Sequence, residues 1–267
     1  MKKYFSRFAI AAALVTLPVL SALSQCTLPN NAFQGGEVLQ YDLYYKYGLI
    51  YTKAGSASLK TTSTTYKGQS AYKMNMLARS TGIVGAAFSV NDTLNAYINT
   101  GLAPLYFEKF AHENDDYNVE KISYNYVNNA VKISTIRHKN GNQRHNLTLD
   151  SNQCTYDFVS VVALARVLNY GSMSNGAKTR IRFISGKEQQ NMDIVFQGTE
   201  NMKASDGNTY NCYKLSLVTS DNAFQNKKEA MKIYLSADPN RIPVRIDSAL
   251  KVGTMRIILK SFKGLKN

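Results

Sequence analysis

Over most of this chain, apolar and polar residues alternate one for one, and that pattern restricts it to strands. Near the C-terminus Met231, Ile233 and Leu235 alternate with Lys232, Tyr234 and Ser236. Ile242, Val244 and Ile246 resume the pattern, and Met255, Ile257 and Leu259 repeat it against Arg256 and Lys260. Asp238-Pro239-Asn240 and Gly253 separate these runs, as turns require. Pro243 lies inside the second run, which predicts an edge strand or a strand that begins just after it. Upstream, further runs are punctuated by Lys67-Gly68, Asn140-Gly141 and Asp206-Gly207, and a bulge is expected at Ala54-Gly55.

One stretch changes period. Phe158, Val161, Val162, Ala165 and Leu168 recur at three- and four-residue spacing, which predicts an amphipathic helix of roughly four turns. Thr155 is its expected cap, and Asn169 to Gly171 its end. Thr81 to Phe88 is apolar, holds two glycines, and reads as a loop or a single helical turn. Short connections make the pairing antiparallel, and a sheet of roughly a dozen or more strands must curl or split. The expected fold is therefore mainly β: a large curved antiparallel sheet, a half-open or split barrel, with one amphipathic helix packed on the concave face.

Lys2, Lys3 and Arg7 precede an apolar run from Phe8 to Leu20, and Ala22-Leu23-Ser24 ends it with small residues at the two cleavage-determining positions. Residues 1–24 thus read as a signal peptide, with 25–267 as one exported β-rich domain of the periplasm or cell envelope. No later stretch is long and apolar enough for a transmembrane helix. Gln25 stands where a lipobox needs a small residue, which argues against lipid anchoring at Cys26. Export permits a disulfide, and of the three pairings among Cys26, Cys154 and Cys212 the first with the second is favoured, leaving Cys212 as a buried thiol. The net charge of +14 suits an anionic envelope surface. The basic residues are spread along the chain rather than massed, which speaks against nucleic acid.

Three segments, GEVLQYDLYYKYGLIYTKAGSASL (Gly36 to Leu59), APLYFEKF (Ala103 to Phe110) and YLSADPNRIPVRID (Tyr234 to Asp247), resemble a family of exported Gram-negative proteins that carry a domain of unknown function. DPNRIPVRI is the most specific of these matches. The resemblance implies a fold similar to that of periplasmic lipoprotein carriers: a half-open barrel with a helix in its mouth and acyl chains in its hollow. It implies no catalytic residues.

The residues themselves offer little chemistry. Ser70 and Lys73 are spaced like a Ser-x-x-Lys pair, but in a strand they face opposite ways. His138 and His145 flank the Asn140-Gly141 turn without a third metal ligand, and His112 to Asp116 fits no calcium loop. No catalytic, cofactor or metal site is expected. Met74, Met76, Phe88, Phe158, Val162, Val244 and Ile257 are the expected lining of an apolar groove for a lipid or an acylated protein. The alternative is a structural or interaction protein of the envelope, with a solid core and a basic outer face.

Overall fold

The computed structural model describes residues 26–127, 130–219, 231–250 and 252–267. The expected signal peptide, residues 1–24, lies outside the described residues. In chain order the strands are β1 (Val38–Tyr47), β2 (Ile50–Tyr66), β3 (Gln69–Ser80), β4 (Val90–Asn99), β5 (Pro104–Glu113), β6 (Asp116–Val127), β7 (Ala130–Lys139), β8 (Asn142–Ser151), β9 (Thr155–Tyr156), β10 (Lys178–Ser185), β11 (Glu188–Lys203), β12 (Thr209–Thr219), β13 (Met231–Ser236), β14 (Pro243–Ala249) and β15 (Thr254–Lys263). Helix α1 (Gly82–Ala87) joins β3 to β4, and α2 (Ser160–Val167) follows β9.

All fifteen strands form one sheet, in the order β8 back to β1, then β15 back to β9. The first and last long strands pair at its middle, with Leu43 opposite Ile257. The two sheet ends, β8 and β9, are only the residues Asn152 to Cys154 apart in sequence. So short a link requires the sheet to curl until its ends meet, which makes a nearly closed barrel. Bulges at Gln40/Tyr41, Leu43/Tyr44, Tyr97/Ile98 and Phe196/Thr199 bend the strands to that curve. Ala54 is the extra residue of one of them, and beside it Gly55 leaves no room for a side chain: a Cβ there would lie 2.0 Å from the Arg79 carbonyl oxygen.

The ends of the sheet overlap instead of sharing a ladder. The β10–β11 turn tucks against β6 and β7. Gly186 donates its N–H to Glu120 Oε1 (3.1 Å), and its carbonyl accepts from the Thr135 hydroxyl (2.9 Å). Ile184, just before the turn, is fully buried in the same cluster as Ile122 and Ile133.

Three expectations need correction. Helix α2 has eight residues, not the span from Phe158 to Leu168, and the side chain that receives N–H groups at its start is Asp157 rather than Thr155. Asp157 Oδ1 accepts the N–H groups of Val159 and Ser160, and the Ser160 hydroxyl accepts the Asp157 N–H in return. Thr155 belongs to β9, where its hydroxyl donates to Ser151 Oγ and the Gln153 carbonyl. The helix is also not amphipathic in use. Val159 and Ala163 join one core cluster and Val161, Leu164 and Ala165 the other, so it is buried between two walls. Finally, β14 starts at Pro243 but is no edge; it lies between β13 and β15, and proline is tolerated there as a first residue beside the Tyr234/Leu235 bulge.

Candidate functional site

The two rims of the barrel differ, and the difference defines the site. One rim is closed. There α2 runs across the bore from Tyr124 on β6, whose hydroxyl donates to Asp157 (3.2 Å), to the turn between β13 and β14. The N-terminal segment is tied to the same end by a disulfide between Cys26 and Cys154, 128 residues apart. At the centre Arg166, in the last turn of α2, is fully buried against an equally buried Glu37. The guanidinium donates to both carboxylate oxygens (2.6 and 2.8 Å), to the Asn240 carbonyl and to the Ala32 carbonyl, and it lies 5.1 Å over the Phe33 ring.

The Asp238-Pro239-Asn240-Arg241 segment serves this plug. Asp238 Oδ1 accepts the N–H groups of Asn240 and Arg241 and so shapes the turn. Asn240 offers its carbonyl to Arg166, and its side chain exchanges hydrogen bonds with the backbone of Asn267. Arg241 donates to the carbonyls of Arg166 and Leu168 and so caps the end of α2. The most specific sequence motif of the chain is therefore a docking joint for the plug.

Beneath the other rim the inner wall loosens. Register places Leu39, Leu59, Met76 and Leu94 in one inward row, and Met74, Ala96, Phe107 and Ile122 in the next row toward the plug. The row nearer the plug is buried throughout. Toward the rim opposite the plug Met76, Ala78, Leu94, Ile246, Met255 and Ile257 are only partly buried, although they too point inward. Above a filled base, the inward side chains of this wall are thus mostly apolar and only partly buried.

The inner wall turns polar across β5 to β8, where Lys109, Glu120, Arg137 and His145 follow one another in register. Much of this polarity serves the overlap with β10–β11. Glu120 holds Gly186, Arg137 donates to Asn118 Oδ1, and the Thr135 hydroxyl lies 3.1 Å from His145 Nε2. Burial lowers the His145 imidazole, and Arg137 and Lys187 add to the effect against Glu120. His145 and His138 are not neighbours on one face. His138 pairs with Gln143 as its spacing suggests, but the bulge between Arg137 and His138 sets His145 opposite the inward Arg137. Among the described residues no group of three or more ligating side chains could hold a metal ion.

Asp92 faces the interior between Ala78 and Ala111, and its Oδ1 is buried without a hydrogen-bond partner. Burial pushes its carboxyl up to about 6, and Lys109 and the His112 N–H only partly oppose this. Between the ordinary carboxylate value and about 6 the folded chain holds this proton more tightly than the unfolded chain does. Asp92 therefore supports the fold at the acid end of that window and penalises it as pH rises through 6. Asp92→Asn should raise the urea midpoint at pH 7 and flatten its pH dependence between pH 4 and 6; a lower midpoint at pH 7 would refute this.

The residues expected to line a groove lie at different depths and at different ends of the barrel. Met74 and Val244 are fully buried core, with Met76, Val162 and Ile257 packed against the same cluster. Phe88 is exposed at the rim, beside α1. Phe158 is exposed at the plugged end, where its ring packs edge-on against Phe183. Leu94 joins Met76, Ile246, Met255 and Ile257 below the rim and was missed, because alternation reveals a residue's face but not its depth in the bore. Cys212 is a buried thiol, pushed up to about 12 chiefly by burial.

Comparison with known proteins places the chain by family and by fold. Residues 40–260 match the family described as a protein of unknown function (DUF3108). No curated protein matches the chain. The crystal structure of a β-barrel-like protein of the domain of unknown function DUF1849 from Brucella abortus superposes with a TM-score of 0.61 at 8% identity, covering 88% of this chain and 100% of that one. A Bacteroides fragilis protein with a YmcC-like fold aligns at 12% identity over 89% of this chain and 98% of that one, with a TM-score of 0.37. The first likeness bears on the fold alone.

Proposed function

We propose that this chain, which belongs to the DUF3108 family, is a non-catalytic binding protein of the cell envelope that holds an acyl chain or similar amphiphile beneath its open rim. One observation carries the reading: the inward apolar side chains Met76, Leu94, Ile246, Met255 and Ile257 are left partly exposed above a base that is packed to full burial. Inward apolar surface left wet forgoes about 25 cal/mol per Å² of burial, which a bound hydrocarbon would restore. The leader-like N-terminus and the disulfide between Cys26 and Cys154 fit an oxidising compartment outside the cytoplasm. Among the described residues a plug crosses one end of the barrel and none crosses the other, which suits a carrier that loads and unloads through a single mouth.

The test is fluorescence of N-phenylnaphthylamine with purified protein, followed by displacement with a long-chain fatty acid. Ile257→Glu puts a charge on the proposed wall and should weaken probe binding about tenfold or more. Met255→Lys, nearer the rim, should do the same with less risk to the fold. Wild-type protein that gives no enhancement, or variants that bind as tightly as wild type, would reject the reading.

A further inference from the structure

The geometry points to a second surface: the tips of the β1–β2, β3–β4 and β14–β15 connections dock the barrel, mouth first, on an anionic lipid bilayer. The observations behind this are separate from the wall of the hollow. The three connections are neighbours. Lys46 pairs with Thr254, which sets the β1–β2 tip beside the β14–β15 tip, and the Thr81 N–H donates to the Ala54 carbonyl, which holds α1 beside β2.

Each tip presents apolar side chains to solvent. Leu49 is fully exposed in the two-residue turn Gly48-Leu49, Ile83 on α1 is 86% exposed, and Val252 is exposed on the third tip. Helix α1 contains no buried residue, so its apolar sequence does not serve the core. The chain supplies its own control. Its other two-residue hairpin turns among the described residues, Lys67-Gly68, Asn114-Asp115, Asn140-Gly141 and Gly186-Lys187, carry no large apolar side chain. Apolar tips occur together on one arc of one rim, and single exposed apolar residues scattered at random would not do that.

Charge selects the occupant. Lys46 and Arg79 stand just behind the tips, and the acidic residues beside them, Asp42 and Asp247, are already matched by ion pairs from Lys53 and from Arg245 and Arg256. A cleft of about 390 Å³ opens there, lined by Lys46, Tyr47, Met231, Lys232, Asp247 and Arg256, a size and charge suited to a phosphate headgroup. A second copy of this surface would bring like charges together, whereas an anionic bilayer offers both hydrocarbon and phosphate. Tyr47 and Tyr51, both exposed, are placed at the level where aromatic rings prefer the headgroup boundary. Beyond Phe88 the rim turns acidic at Glu113, Asp115 and Asp116, so the molecule would tilt with β1, β2 and β15 toward the lipid.

The experiment is vesicle flotation of the purified protein at low salt. Vesicles of phosphatidylglycerol and phosphatidylethanolamine should carry the protein up, phosphatidylcholine vesicles should carry much less, and 0.5 M salt should release most of it. Leu49→Asp with Ile83→Asp should reduce flotation about tenfold or more, and because both residues are exposed the fold should survive. That variant should still load N-phenylnaphthylamine in free solution, and Ile257→Glu should still float, so the docking surface and the hollow fail separately. Absence of flotation on anionic vesicles, flotation by the tip variant equal to wild type, or a salt-insensitive preference for phosphatidylcholine would each overturn the inference. A concentration-dependent dimer abolished by the tip variant, without flotation, would overturn it in favour of self-association.

Discussion

Arg166→Met should cost the protein about 3–5 kcal/mol, the usual penalty for leaving one member of a buried ion pair alone. Glu37 is fully buried and receives both arms of the guanidinium, so without it the carboxylate would face apolar surroundings. The Asn240 and Ala32 carbonyls would lose the same donor. Glu37→Gln should cost less, because an amide can stay hydrogen-bonded without carrying a charge. The double variant Glu37→Gln/Arg166→Met should recover part of the loss, because no buried charge is then left unpaired. Urea titration of the three variants measures this; a double variant as unstable as the sum of the singles would show that the two residues act independently.

Loss of the disulfide between Cys26 and Cys154 should be the second large effect. The bond closes a loop of 128 residues, for which chain entropy gives an upper figure near 5 kcal/mol, and about 2–4 kcal/mol is usual. Its position adds a local consequence. The bond ties the N-terminal segment to the short link between β8 and β9, and in that segment Leu28 donates to the Gly101 carbonyl, Ala32 accepts from Arg166 and Phe33 lies under the guanidinium. Cys26→Ser/Cys154→Ser should therefore lower the unfolding midpoint and also open the plugged rim first. Hydrogen exchange would show this as early loss of protection in α2, ahead of β2 and β3. Uniform loss across the barrel would contradict the assignment of the plug as a separable unit.

The strands were legible because each records its own face: Leu39, Tyr41 and Leu43 alternate with Gln40 and Asp42 whatever the rest of the chain does. Closure of the barrel was not, since nothing local in β1 says that it pairs with β15 more than 200 residues away. The plug left a faint mark. Arg166 is a single charge inside the run Val161 to Leu168, and a lone arginine among apolar helical residues signals either a solvent edge or a buried partner. Its partner Glu37 lies 129 residues away, so the second possibility could not be seen. The helix end was misplaced for a local reason: both Thr155 and Asp157 can cap, and the choice depends on β9 having claimed the threonine. The groove residues were chosen by type, and type does not separate Met74, packed against the base, from Met76, two residues closer to the mouth.

Native mass spectrometry of the protein purified from its own cell envelope, without detergent exchange, tests the central claim most directly. A hydrocarbon-binding hollow predicts a population carrying one added mass in the range of a fatty acid or phospholipid, released by activation in the gas phase and absent from Ile257→Glu. A single bare mass for the wild-type protein, or an adduct equally abundant in that variant, would contradict it.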